Sequence, residues 1–342
     1  PIVVVGRGSE AVRAEVGEIA TFVEQAEQRG TAHAVMVGLE ALPQAETVLV
    51  LYGDVPLLTA QTLRRMIAHH QTARPGVTLL TAQVTDPSGL GRIVRGPGGA
   101  VARIVEEADA SEEERLIREI NAGTYVFEGP LLREGLRHVQ PSNAQGEYYL
   151  TDVVAWALRE GRVDALPVED PDEVLGVNSR RELARAEAAM RARLLDRLMD
   201  AGVTIVDPHT TYVHADVTVG EDTVIHPGTS LEGASRIGRG CVIGPQAHLV
   251  DALIGDGVTV VASTIVQSLM DDGSSIGPYS RLRPGSRIGR EVEIGNFAEV
   301  KNTTIGDGTK VHHKSYLGDA TIGARVNIGA GTVTCNLRDR TG

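Results

Sequence analysis

From Val213 onward an aliphatic residue returns at every sixth position: Val213, Val219, Ile225, Leu231, Ile237, Ile243 and Leu249 follow without a miss, with Gly at 220, 238 and 244. The register resumes at Ile276, Leu282, Ile288, Ile294 and Val300, moves by one to Ile305, Val311 and Leu317, and moves again to Ile322 and Ile328. A helix repeats about every 3.6 residues and a strand about every two, so neither produces this spacing. A hexapeptide period describes a β-solenoid, in which each unit forms one face of a coil and turns one aliphatic side chain inward. Coils stacked about 4.8 Å apart bury a continuous aliphatic column. Such a column needs few aromatic residues, and Phe, Trp and Tyr make up 3% of this 342-residue chain. The repeat dictates a fold but no chemistry, and a scaffold or trimerisation module satisfies it equally well.

The first half has a different grammar. From Ile2 to about Arg180, short apolar runs alternate with helix-like stretches, which predicts a largely parallel sheet covered by helices. Val48–Tyr52 is the clearest strand and stops at Gly53-Asp54, placing a carboxylate at a strand's C-terminal end, where ligands of open α/β sheets gather. Further strands are expected at Val77–Val84 and Gly123–Phe127, and a helix at Tyr149–Arg159. Between the halves, Arg180–Asp200 is rich in Ala, Leu, Arg and Glu, lacks Gly and Pro, and is followed by Gly202. This predicts one connecting helix with a glycine stop. Its Leu183, Ala186, Met190 and Leu194 recur at helical spacing as a stripe packed on a neighbouring domain.

The net charge of −12 argues against a nucleic-acid backbone or an anionic membrane surface as general partner. No apolar run approaches the roughly 20 residues of a membrane span. Cys241 and Cys335 are the only cysteines and lie far apart, which indicates neither a disulfide framework nor a thiolate metal site and fits a reducing cytosol.

Several motifs are more specific. Gln25–His33, Leu51–Leu57, Glu119–Gly123, Asn143–Asp152 and Gly176–Asn178, followed by Arg281–Gly285, Gly295–Lys301, Ser315–Ala320 and Asn327–Asn336, resemble in order and spacing the bifunctional N-acetylglucosamine-1-phosphate uridyltransferase/glucosamine-1-phosphate acetyltransferase family. The resemblance runs along essentially the whole chain. It implies a Rossmann-like nucleotidyltransferase domain over 1–180, a helical linker over 181–201 and a left-handed parallel β-helix over 202–342 that assembles as a homotrimer. It also implies a cytoplasmic transferase that takes UTP, N-acetylglucosamine-1-phosphate, glucosamine-1-phosphate and acetyl-CoA, with Mg²⁺ as cofactor. Two alternatives stay open: a nucleotidyltransferase for another sugar phosphate with a scaffolding solenoid, and a noncatalytic scaffold.

Uridylyl transfer needs an attacking phosphate, an α-phosphate held in line and a cation, so positioning and electrostatics carry the catalysis. The resemblance assigns Mg²⁺ to Asp54 and Asn178, which suits a hard cation that takes few protein oxygens. It assigns nucleotide contacts to Gln25, Gly30, Thr31, Tyr52 and Gly53, and N-acetylglucosamine contacts to Gly91, Glu106, Asn121 and Asn178. Taken singly, Asp54 and each glycine are ordinary turn residues and Glu106 a solvated acid. The family's Gly-rich loop with a Thr-Arg-Met segment and its later lysine have no counterpart after Pro1, since Ile2–Val5 resembles the family's second strand. Little or no uridylyl transfer is therefore expected of the chain as written.

Acetyl transfer to an amino sugar needs a base for the ammonium proton, and histidine, with a reference pKa of about 6.5, suits that task. His312 and His313 are adjacent on one coil, and alternation lets only one face a given cleft. The resemblance gives the catalytic role to His313 and none to His312. Between Arg281 and Lys314, seven Lys or Arg stand against four acids, a local balance of +3 in an acidic chain. By resemblance Arg283 and Lys301 bind the sugar phosphate, Tyr316 and Asn327 hold the sugar, and Ala330, Asn336 and Leu337 meet acetyl-CoA. Leu337 replaces the family's usual aromatic, and the chain stops at Gly342 before the family's later coils, so weak acetyl-CoA affinity is expected.

Overall fold

The computed structural model describes residues 1–42, 44–141 and 146–336. The chain divides into two compact units, Pro1–Ala186 and Glu187–Gly342.

In the first unit the strands are β1 (Ile2–Val5), β2 (Thr21–Glu24), β3 (Thr47–Val50), β4 (Val77–Gln83), β5 (Arg92–Arg95), β6 (Val101–Val105), β7 (Glu119–Glu128) and β8 (Val163–Pro167). The helices are α1 (Glu10–Val16), α2 (Thr31–Glu40), α3 (Ala60–Ala73), α4 (Glu112–Arg115), α5 (Gly129–His138) and α6 (Leu150–Arg159). β1 and β2 pair in parallel as a separate ribbon. The other six strands form one sheet organised by β7, which takes β4 along one edge and both β3 and β5 along the other. The largely parallel sheet expected from the sequence is therefore corrected. Pairings to β7 are antiparallel, and only β8 on β4 is parallel. Alternating apolar and helical segments do not record strand direction, and the antiparallel β5–β6 hairpin returns the chain so that β7 runs between β3 and β4 against both.

Alternation along the strands feeds two apolar layers. Leu79, Tyr125 and Phe127 face α5 and α6 through Leu131, Leu150, Val153 and Val154, while Leu80, Ile120 and Val126 point the other way to Met66 of α3. Thr59 caps α3 by accepting from Thr62 N at 3.1 Å. Buried Glu173 accepts from Thr59 N and Thr62 Oγ1, each at 2.9 Å, and ties that helix start to the chain's later turn.

α7 spans Arg180–Asp200, as its composition predicts. The expected stripe holds only in part: Ala186 and Leu194 are buried, but Leu183 is 50% and Met190 38% exposed. The apolar face of the C-terminal half runs instead through Leu195 and Leu198, which join Val203, Ile205 and Val213 at the start of the solenoid column. A solenoid's first coil would otherwise expose its core.

The second unit is a triangular parallel β-helix, with sheets of seven, seven and eight strands among the described residues. Val213, Leu231, Leu249, Ile265, Leu282, Val300 and Leu317 stack in one sheet, each paired with its neighbour one coil away. The shifts of hexad register fall at corners, where Asp251, Gln267, Asn302 and Asp319 adopt φ of 43–50°. Hydroxyls two residues before the core positions close the corners. Ser280 Oγ, for example, donates to Gly295 O at 2.6 Å and accepts from Ala298 N at 2.9 Å.

Candidate functional sites

In the first unit the predicted residues converge on the ends of β3, β5 and β7. Gly30 has φ of +103°, and a Cβ there would lie 2.6 Å from Tyr148 O, so only glycine admits the turn that starts α2. Thr31 Oγ1 next to it accepts from Leu150 N at 3.0 Å. Gln25 is buried, with its amide donating to Gly30 O at 3.2 Å and meeting His33 Nδ1 at 2.9 Å. Tyr52 lies just past β3, its phenol hydrogen-bonded with Thr31 and Tyr125 and pushed above its ordinary pKa by burial. Its ring lies over Gly123, where β7 bulges against β4 with φ of +68° and a Cβ would come within 2.6 Å of Tyr52 Cδ2.

Asn121 connects this aromatic layer to the next residues. Its Nδ2 donates to Tyr125 Oη at 2.6 Å, its Oδ1 accepts from Gly123 N at 3.3 Å, and its backbone N–H donates to Gly91 O at 2.9 Å. Glu106 Oε2 stands 3.1 Å from where a Gly91 Cβ would be, and Glu106 Oε1 accepts from Thr151 Oγ1 at 3.3 Å. Burial pushes the Glu106 carboxyl above the usual range, aided by Asp109 and Asp152 and opposed by the Thr151 bond. A backbone bond ties Asp54 to the residue before Asn178, far away in sequence: Val177 N donates to Asp54 O at 2.8 Å. Asp54 is exposed. A carboxylate and an amide oxygen are ligand types a hard cation takes, with phosphate and water oxygens completing its shell. Among the described residues no cluster of three His, Cys, Asp or Glu forms a metal cage.

In the second unit Arg283 and Lys301 are register partners on adjacent coils, and Lys301 pairs in turn with Gly318. Arg283 Nη1 donates to Glu299 Oε1 at 3.1 Å and Lys301 Nζ reaches Asp319 Oδ2 at 3.5 Å. Asn336 Nδ2 donates both to Asp319 Oδ2 and, at 3.3 Å, to Tyr316 Oη. Asp319 also accepts from Asn302 Nδ2 at 2.8 Å, and these bonds, the Asn302 one first, hold its carboxyl below the usual range. One carboxylate thus touches a residue assigned to the sugar phosphate and another assigned to acetyl-CoA.

His313 is exposed at the end of its strand, opposite Asn296 one coil earlier, with Nδ1 3.3 Å from Asn296 Oδ1. His312 turns to Glu293, Nε2 to Oε2 at 2.8 Å, and that carboxylate also takes Lys310 at 3.0 Å. Asn327 pairs with Lys310, three residues before His313 and so about 10 Å along the strand direction. Asn327 and Ala330 are both exposed. Leu337 lies outside the described residues, as do Asn143, Ala144 and Gln145 of the Asn143–Asp152 motif.

The nucleotidyl transferase family matches residues 8–171, and the bacterial transferase hexapeptide family (six repeats) matches 216–250 and 302–336. The bifunctional protein GlmU of Brevibacillus brevis is 51% identical over 98% of this chain and 73% of its own length. The chain belongs to the bifunctional GlmU family. GlmU of Heliobacterium modesticaldum is 49% identical over 98% of this chain and 74% of its own, and GlmU of Pelotomaculum thermopropionicum 51% over 99% and 75%. This GlmU-family chain is therefore a transferase, with a nucleotidyltransferase unit followed by a hexapeptide β-helix.

Sequence reading missed several neighbours within this chain. Tyr125 and Thr151 bond Asn121 and Glu106, while Asn296 and Asp319 contact His313 and Lys301. For Asn296 a signal existed. It precedes His313 by 17 residues, one shortened coil, and the hexad register could have paired them.

Proposed function

We propose that this protein makes UDP-N-acetylglucosamine in two steps. The β-helix unit transfers the acetyl group of acetyl-CoA to glucosamine-1-phosphate. The N-terminal unit then transfers uridylyl from UTP to N-acetylglucosamine-1-phosphate, releasing pyrophosphate. The observation that carries the reading is a β-helix coil that bears His313 and, three residues on, Tyr316, while the two preceding coils bear Lys301 and Arg283.

In the proposed reaction His313 donates its Nδ1–H to Asn296 Oδ1, 3.3 Å away, and Nε2 carries the lone pair. His313 Nε2 takes a proton from the sugar ammonium, and the freed amine attacks the thioester carbonyl carbon to form the C–N bond. The C–S bond breaks with its electron pair on sulfur, the second nitrogen proton goes to that sulfur so that CoA leaves as the thiol, and the proton on His313 passes to solvent. Arg283 as a planar fork and Lys301 as a point charge hold the phosphate. Tyr316 and Asn327 hold the sugar, and Ala330, Asn336 and Leu337 meet acetyl-CoA.

In the N-terminal unit Gln25, Gly30, Thr31, Tyr52 and Gly53 hold the nucleotide, and Gly91, Glu106, Asn121 and Asn178 the N-acetylglucosamine. Asp54 and Asn178 would hold Mg²⁺, which spreads phosphate charge when bound. We also assign a homotrimer to the β-helix. Tyr279 and Phe297, 63% and 59% exposed, stack at 5.8 Å on successive corners in a chain otherwise poor in aromatics, which supports a subunit contact there. Two free cysteines support a cytoplasmic setting. Among the described residues no helix is long and apolar enough to cross a membrane.

The test is CoA release from acetyl-CoA with glucosamine-1-phosphate. His313→Ala should lower the rate by about 10²–10⁴-fold while His312→Ala keeps it. Equal rates for His313→Ala and the unaltered protein would reject the base. Calorimetric titration with UDP-N-acetylglucosamine should give heat that Asp54→Ala removes, and heat that survives the substitution would reject Asp54.

A further inference from the structure

A buried charge lies directly behind the proposed N-acetylglucosamine subsite and has no part in the reactions above. Arg92 opens β5, immediately after Gly91, and its side chain is 1% exposed. A guanidinium is not buried without partners. Arg92 donates from Nη1 to Leu90 O and from Nη2 to Glu107 Oε2, and among the described residues its Nε has no partner. Glu107 in turn accepts from Gly89 N at 3.3 Å and faces Arg115 at 3.9 Å. One ion pair therefore clamps Gly89-Leu90-Gly91 to the segment that begins at Glu106.

These two segments carry the residues assigned to the sugar. Gly91 O accepts from Asn121 N, and Glu106 Oε2 sits 3.1 Å from the position of a Gly91 Cβ. Glu106 and Glu107 are consecutive carboxylates leaving β6, where a slip of one residue would exchange their faces. Glu107 is held by Arg92, while Glu106 accepts from the Thr151 hydroxyl.

We infer that Arg92 is a positioning residue for the sugar subsite: by capturing Glu107 it fixes the Gly91 turn and leaves Glu106 as the carboxylate presented to the ligand. The inference rests on the reading that Gly91, Glu106 and Asn121 hold N-acetylglucosamine. A planar fork is required, because one arm serves a backbone carbonyl and the other a carboxylate, so lysine can only partly replace it.

The experiment uses Glu107→Gln and Arg92→Lys, since Arg92→Ala risks unfolding. In steady-state uridylyl transfer, Glu107→Gln should raise KM for N-acetylglucosamine-1-phosphate by about tenfold and leave KM for UTP within about twofold, with Arg92→Lys intermediate. Equal changes in both KM values, or a loss confined to kcat, would overturn the inference. If the unaltered protein forms no UDP-N-acetylglucosamine, amide hydrogen exchange without ligand decides the clamp. Exchange at Gly89 and Asn121 should accelerate by about tenfold in Glu107→Gln with Leu79 in β4 unchanged, and unaltered exchange at Gly89 and Asn121 would overturn it.

Discussion

Gly295 offers a direct test of whether coil spacing sets the proposed acetyl-transfer site. It lies in the strand Glu293–Asn296, opposite His312 on the next coil, and immediately before the Asn296 that contacts His313. An alanine Cβ there would lie 2.1 Å from His312 O, 2.7 Å from its carbonyl carbon and 2.9 Å from its Cα, where ordinary contact begins at 3.4 Å. All three atoms are backbone, so no rotamer change relieves the clash. Retreat in the other direction is opposed by Ser280 Oγ, which holds Gly295 O at 2.6 Å from the preceding coil. The coils must part locally by roughly an ångström, and overpacking of that kind costs about 1–3 kcal/mol. The same displacement moves His313 relative to Arg283 and Lys301, and a misplacement of about 1 Å can cost about 100-fold in rate. Gly295→Ala should therefore lower both the denaturant midpoint of the β-helix and the rate of CoA release. Gly323→Ala, whose nearest neighbour would be Val326 Cγ2 at 3.9 Å, serves as the control and should change stability little. A Gly295→Ala protein with unaltered stability and unaltered rate would refute the link between coil spacing and the site.

Three further outcomes are expected. Leu282→Ala removes a fully buried member of the aliphatic column and should destabilise the β-helix by about 3–4 kcal/mol in denaturant unfolding, the transfer of the lost carbons plus a residual cavity. Glu173→Ala leaves Thr59 N and Thr62 Oγ1 without their acceptor at the start of α3, and a loss of about 2–3 kcal/mol should appear in unfolding of the first unit. Because burial raises the Glu106 pKa, the fold takes up that proton at higher pH than the unfolded chain, so this group opposes folding near neutrality. The penalty fades as pH falls through the raised folded value toward the ordinary 4.5. Glu106→Gln should accordingly raise the unfolding midpoint at pH 7 and lose that advantage toward pH 4, and equal gains at both pH values would contradict the assignment.

The hexad of Val213 to Leu249 could be read without any structure, because inward positions on a triangular coil recur locally and leave a period that no helix or flat strand shares. The α7 helix and the turn after β3 at Gly53-Asp54 were legible for the same reason, since propensity, glycine stops and strand ends are properties of neighbouring residues. The direction of β7 was not, because it depends on which strands it pairs with, from Thr47 to Gln83 along the chain. Likewise, adjacent His312 and His313 are equivalent as local sequence. The stacking of coils sets Glu293 beside one and Asn296 beside the other, and only the second pairing left a signal in the hexad register. The Arg92–Glu107 clamp and the Asp319 junction between Lys301 and Asn336 belong to the same class. Local periodicity determined what kind of element each segment forms, whereas long-range pairing decided which side chains share a site, because contact across coils or strands depends on registers accumulated over many intervening residues.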